Sequence, residues 1–231
     1  MLSREFLIEQ GECCGNECCM CPYEPIYQKG STKMNDKSTL SPDNILIVCA
    51  LEQETQSRLE EWDVLYTGVG KVNATLKLTQ RLQVNRSLPP MPKLVINYGT
   101  AGSSKLSIGE LVDCTKFTQR DMDATGLGFM KGQTPFESLP PIILDFDHVK
   151  FNPTGKKLRC STGDSFVSDN TDSYCDVFDM EAYALAKTCH YYNVPFISFK
   201  YITDNANKHS SKDWEKNCKD GAELFYNIIN S

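Results

Sequence analysis

Residues 44–50, Asn-Ile-Leu-Ile-Val-Cys-Ala, are an almost unbroken apolar run, the pattern of a strand buried on both faces. Residues 64–66 and 93–97 predict two more strands, residues 109–117, 175–179 and 195–203 predict three others, and residues 158–167 a strand followed by a loop. Helical patterns fall between them. Residues 51–54 open a helix expected to reach toward Trp62, and another follows the turn at 67–74. Ala182, Leu185, Ala186 and Cys189 recur at helical spacing and mark the buried face of a third. Residues 211–230 predict one closing helix with Trp214, Leu224, Phe225 and Ile228 as its apolar positions. Residues 98–102, Tyr-Gly-Thr-Ala-Gly, read as a small-residue loop that lets backbone come close to a ligand. Residues 120–126 read as a polar loop and 131–156 as irregular. Strands alternating with helices argue for an α/β sheet covered on both faces.

The polar residues gather where the strands end. Glu52 and Glu54 follow the first strand, Thr100 follows the third, and Asp204 follows the last. Glu181 lies where the strand at 175–179 gives way to a helix, and ligands bind at such strand ends in open α/β sheets. Taken alone, Glu181 is explained as well by the helix macrodipole, which favours a carboxylate at the N-terminus. Together the four clusters make a pocket of carboxylates and hydroxyls at one edge of a sheet. His148, His190 and His209 stand apart, so neither a histidine-rich metal site nor a Ser-His-Asp triad is expected. Paired carboxylates without a metal suit acid–base work on a bond that breaks through a cationic transition state, glycosyl transfer above all. Gly68 and Gly70 resemble a phosphate-binding turn, but position 73 is Asn, so a tight strand-to-helix turn is the preferred reading.

Composition narrows the class. The 231 residues carry a formal net charge of -6, and no stripe of Lys and Arg points to nucleic acid. No apolar run approaches membrane-spanning length, and the first residues lack a signal-peptide layout, so a soluble cytoplasmic protein is expected. Eleven cysteines divide into two sets. Cys13, Cys14, Cys18, Cys19 and Cys21 crowd into an extension and linker over residues 1–41, whereas six are scattered through residues 42–231 and read as reduced thiols. The crowded five could close round zinc or an iron–sulfur cluster, since thiolates ligate both, or could belong to a tail with incidental thiols. The segment resembles small cysteine-rich proteins and appendages, a resemblance that carries no function with it.

Six stretches occur in order: 50–54 (Ala-Leu-Glu-Gln-Glu), 67–72 (Thr-Gly-Val-Gly-Lys-Val), 97–102 (Asn-Tyr-Gly-Thr-Ala-Gly), 162–167 (Thr-Gly-Asp-Ser-Phe-Val), 179–182 (Asp-Met-Glu-Ala) and 203–204 (Thr-Asp). Together they resemble the purine nucleoside phosphorylase and nucleosidase superfamily, most of all its 5′-methylthioadenosine/S-adenosylhomocysteine nucleosidase branch. Residues 190–196 add to that likeness, which covers residues 44–230. The resemblance implies a three-layer αβα sandwich around a central mixed sheet and hydrolysis of a purine nucleoside to free adenine. It implies no cofactor for catalysis. It implies Glu54 as the base that activates water, with Thr100 beside it, and Asp204 as the acid that protonates the purine at N7, with Thr203 in place of the family's serine. Met180 and Glu181 would hold the ribose, and Phe166 and Val167 the base. Trp214 stands where the family carries a phenylalanine lid over the 5′ substituent, and Lys200 where it carries an arginine. The loop near Met122 implies a homodimer.

Two rivals remain open on the residues. A phosphorylase would cradle phosphate after the first strand, where Glu52 and Glu54 would repel it. A non-catalytic nucleoside sensor would have no need of both Glu54 and Asp204.

Overall fold

The computed structural model describes residues 10–15, 28–32, 42–87, 91–137, 143–168 and 174–230. The chain divides into two compact units, Met1–Leu40 and Ser41–Ser231. In the first unit, the Cys13 N–H donates to the Ser31 carbonyl and the Gly30 N–H returns a bond to the Cys13 carbonyl, both at 2.8 Å. Cys13 is buried and Cys14 exposed, while Cys18, Cys19 and Cys21 lie outside the described residues. Among the described residues no group of three or more His, Cys, Asp or Glu could hold a metal ion.

The second unit is built on one mixed sheet. Its strands are β1 (Ile45–Cys49), β2 (Val64–Tyr66), β3 (Leu94–Gly102), β4 (Leu111–Gln119), β5 (Leu144–Asp145), β6 (Leu158–Thr162), β7 (Val177–Asp179) and β8 (Phe196–Asp204). The helices are α1 (Glu52–Thr55), α2 (Lys71–Ser87), α3 (Ala182–Tyr192), α4 (Ser210–Asn217) and α5 (Ala222–Ile229). β1 lies parallel between β2 and β3, and β3 runs parallel to β8. β8 pairs antiparallel with β4, which is parallel to β6, and β6 is parallel to β7. β7 then meets β3 at the single pair Gly102–Phe178, which closes five strands into a ring. All residues of β1 and β8 are buried, β1 as its uninterrupted apolar character requires and β8 although it carries Ser198, Lys200, Thr203 and Asp204. No described helix is long and apolar enough to cross a membrane.

Three expectations about elements are corrected. The helix after β1 stops after one turn, because Gln56 and Ser57 take left-handed backbone with φ of 50° and 56°. Residues 98–102 are not a loop. They continue β3, paired with β8 from Tyr98–Phe199 to Ala101–Ile202. The closing helix is two helices broken at Gly221, where a Cβ would lie 2.6 Å from Tyr201 Cβ and 2.7 Å from the Tyr98 hydroxyl. The break lets α5 lay Phe225 flat on Tyr98, with ring centroids 4.3 Å apart.

Candidate active site

The strand ends bring the sequence-predicted residues together. A cavity of about 230 Å³ is lined by Glu54, Thr100, Glu181, Asp204 and Trp214, and also by Phe166, Val167 and Met180. Thr203 stands behind Asp204: its hydroxyl lies 3.0 Å from Asp204 Oδ2. The expected sites among Cys13, Cys14, Cys18, Cys19 and Cys21 belong to the other unit. Met122 is not among the residues lining the cavity.

Glu54 sits on the short helix α1 and is 3% exposed. Its Oε1 accepts from the Thr100 N–H at 2.9 Å and the Thr100 hydroxyl at 2.8 Å, and its Oε2 accepts from the Leu51 N–H at 3.1 Å. A Cβ at position 99 would meet Oε1 at 3.5 Å and Lys200 Nζ at 3.4 Å, ordinary contact, so the approach of Glu54 does not depend on Gly99.

Asp204 ends β8 and is also 3% exposed. The β3–β8 register shifts between Ala101 and Gly102, so that Gly102 faces Asp204 and Thr203 is the extra residue. Such a bulge re-aims a side chain, here toward the cavity. Asp204 Oδ1 also accepts from the Ala206 N–H at 2.9 Å.

Glu181 is freed for the cavity by its neighbour. Asp179, not Glu181, caps α3: its Oδ2 accepts from the Ala182 N–H at 2.8 Å and the Glu181 N–H at 3.3 Å. The macrodipole explanation for Glu181 is therefore superseded by Asp179. The Glu181 carboxyl instead accepts from the Gly70 N–H at 2.8 Å, across from the glycine turn before α2. Burial, then the nearby Asp179 charge, push its pKa up to about 8.

Asp179 is charged at the expense of burial. Burial works to raise its pKa, but Lys200, 2.8 Å away, and the Thr162 hydroxyl hold it below the ordinary carboxylate range. Burial likewise works against the Lys200 charge, and Asp179 outweighs it. The ion pair is sealed, with side-chain exposures of 1% and 0%.

The sequence did not single out Asp179 as a cap or Arg120 as a lining residue. Asp179 lies two residues before the N-cap position, Glu181, so a search for a capping residue immediately before the helix passes it over. Arg120 carried no local signal. Its guanidinium donates to the Gly163 and Ser165 carbonyls and to the Ser165 hydroxyl, which fixes the loop that carries Phe166 and Val167. The other side of that loop is held by Asp164, which accepts from the Lys71 N–H at 2.8 Å. Val167 packs on Cys175, Phe178 and Ala206, leaving Phe166 exposed at the cavity mouth.

A family model described as the phosphorylase superfamily matches residues 62–231. The chain belongs to the phosphorylase superfamily. Within that superfamily it is 30% identical over 196 residues to a 5′-methylthioadenosine/S-adenosylhomocysteine nucleosidase of Staphylococcus haemolyticus, covering 76% of this chain and 83% of the relative. It is 31% identical to the enzyme of that name from Anoxybacillus flavithermus, over 66% of this chain and 72% of the relative. Solved structures share the superfamily fold. A mutant Helicobacter pylori nucleosidase with 5′-methylthioadenosine in its active site superposes with a TM-score of 0.69 at 19% identity, over 81% of this chain and 98% of that one. A futalosine hydrolase of the same organism matches equally well, with a TM-score of 0.69 at 19% identity over 80% and 95% of the two chains. The expected α/β fold around a central mixed sheet is borne out.

Proposed function

We propose that this chain is an N-glycosyl hydrolase that cleaves a purine nucleoside, 5′-methylthioadenosine or S-adenosylhomocysteine, with water and releases adenine. One observation carries the reading: Glu54, Glu181 and Asp204, all nearly buried, line the same cavity. Among them the Glu54 carboxylate supplies the negative charge that favours a cationic ribosyl group. The curated relatives of this name support the choice of substrate.

Each residue then has a task. Phe166 stacks on the purine and the Val167 backbone hydrogen-bonds it. Asp204, carrying a proton at that moment, delivers it to the purine N7, and the C–N bond breaks with its electron pair going to the base. Met180 packs on the ribose and Glu181 holds its hydroxyls. Glu54 takes a proton from the water that attacks the oxocarbenium-like carbon. Thr203 steadies Asp204, and Trp214 covers the 5′ substituent. No cofactor enters these steps.

Phosphorolysis is disfavoured by the same carboxylates. A phosphate beside buried Glu54 meets a like charge, and the nearby cations are already committed, Lys200 to Asp179 and Arg120 to loop carbonyls. A non-catalytic sensor has no use for a buried Glu54 held by three donors and a separate Asp204. A panel of purine nucleosides, with and without phosphate, tests the reading by free adenine. Equal release in both buffers supports it. Absence of turnover on every nucleoside supports the sensor.

The reading extends to assembly and setting. Val72 and Leu76 on α2, and Leu127, Met130 and Phe136 after β4, are exposed apolar side chains that suit a homodimer contact. A fully active monomer at micromolar concentration overturns that contact. The free buried thiols Cys49, Cys114, Cys160, Cys189 and Cys218 suit a reducing, cytoplasmic compartment. Residues 1–41 form an extension dispensable for cleavage, and residues 42–231 the catalytic domain. Metal in the extension is tested by elemental analysis of the full chain.

A further inference from the structure

We propose that Trp214 is a positioning residue for Glu54, acting through the hydroxyl of Thr100; this rests on the reading of Glu54 as the group that activates water. Trp214 Nε1 lies 2.9 Å from Thr100 Oγ1, and Thr100 Oγ1 lies 2.8 Å from Glu54 Oε1. An indole N–H can only donate, and a hydroxyl has one proton to give. The Thr100 hydroxyl therefore accepts from Trp214, and its own proton is committed to Glu54. The direction of the whole chain of bonds is set by the indole.

That direction sorts the two carboxylate oxygens. Oε1 receives the Thr100 hydroxyl and the Thr100 N–H, whereas Oε2 receives only the Leu51 N–H. Oε2 keeps the larger spare acceptor capacity and is the oxygen that takes the proton of the attacking water. A phenylalanine at position 214, the residue to which the family resemblance points, would cover the 5′ group equally well. It would leave the Thr100 hydroxyl free to turn toward water, and Glu54 would lose a donor that holds its orientation. The tryptophan thus adds a second task to the lid.

The helix that carries Trp214 is itself seated on the acid side of the cavity. Asn217, on the same helix α4, donates to the Thr203 carbonyl at 2.9 Å, next to Asp204. The indole is thereby presented by a helix anchored to Thr100 and Thr203, the residues that hydrogen-bond Glu54 and Asp204, rather than by a free loop.

The test is a double-mutant cycle on kcat and KM with 5′-methylthioadenosine, using Trp214→Phe, Thr100→Val and the pair. The bond that Trp214→Phe removes ends on a neutral hydroxyl, and its net contribution is enough to lower kcat by about 3- to 10-fold, with KM little changed. In the Thr100→Val background the same substitution should cost little more, because the bond it removes has lost its intermediary. An equal loss in both backgrounds, or a loss confined to KM, means that Trp214 acts by packing on substrate and overturns the proposal. Incorporation of benzothienylalanine at position 214 keeps the size and shape of the indole without its N–H. It should reproduce the Trp214→Phe loss, and unchanged kcat overturns the proposal even where the phenylalanine variant folds poorly. Glu54→Gln separates the two levels of argument. If that variant keeps normal turnover, the reading of Glu54 itself fails; if it is inactive while Trp214→Phe is fully active, only the role of Trp214 fails.

Discussion

Gly102 and Asp204 face each other across β3 and β8, so close that a Cβ on residue 102 would lie 2.6 Å from Asp204 Oδ1. The acid is therefore held by the absence of a side chain as much as by the hydrogen bonds from Thr203 and Ala206. Gly102→Ala must push the carboxyl aside. Because a displacement of about 1 Å can cost 10²-fold in rate, kcat should drop on that scale while the thermal midpoint changes modestly. Steady-state kinetics beside a thermal melt checks this, and near-normal kcat would show that the position of Asp204 is not critical.

Asp204→Asn keeps the size and polarity of the side chain but removes the proposed proton donor. Turnover on adenine nucleosides should fall by roughly 10²–10⁴-fold, the usual contribution of one positioned acid. Binding should change less. A nucleoside whose base leaves readily without protonation should rescue Asp204→Asn more than Glu54→Gln, which single-turnover rates on the two substrates would show.

Glu181 makes stability depend on pH in a direction opposite to that of an ion-paired carboxylate. Its pKa is about 8 in the folded protein and near the ordinary glutamate value when unfolded. Between those values the folded state holds a proton that the unfolded state has released. The contribution of Glu181 is fully present below the unfolded pKa and is lost as pH rises through about 8. Glu181→Gln cannot ionise, so its urea-unfolding free energy should fall less than that of the parent between pH 5 and pH 8. Identical slopes for the two proteins would rule out a raised pKa at Glu181.

The sealed pair of Asp179 and Lys200 predicts a large effect of removing one charge. Lys200→Met leaves Asp179 buried and uncompensated, which should cost about 3–5 kcal/mol in chemical denaturation. Adding Asp179→Asn removes the second charge and keeps acceptors for the α3 N–H groups. Stability should then recover in large part. A double variant less stable than Lys200→Met alone would mean that Asp179 stabilises chiefly as a charged cap.

Much of this site was legible in the chain because strand ends and carboxylates coincide in sequence. Glu54, Asp204 and Glu181 each follow an apolar run, and the structure gathers all three round one cavity. Gly102 was legible as a place of close approach, but what approaches it is the protein's own Asp204. Pairing with β8 along the whole of β3 overrode the local loop character of Tyr98 to Gly102. The break between α4 and α5 depends on Tyr98 and Tyr201, which lie far from Gly221 in sequence and could not be seen locally. Arg120 escaped for the same reason, since its partners lie 43 and 45 residues away; Lys200 was noted by resemblance, but its pairing with Asp179 on a different strand could not be read locally.

The central claim is that water, admitted beside Glu54, is the nucleophile. The most direct measurement is mass spectrometry of the sugar product after cleavage of 5′-methylthioadenosine in H₂¹⁸O containing phosphate. Free adenine and a methylthioribose that carries one ¹⁸O atom are expected, with no sugar phosphate. A methylthioribose 1-phosphate as the main product would contradict it.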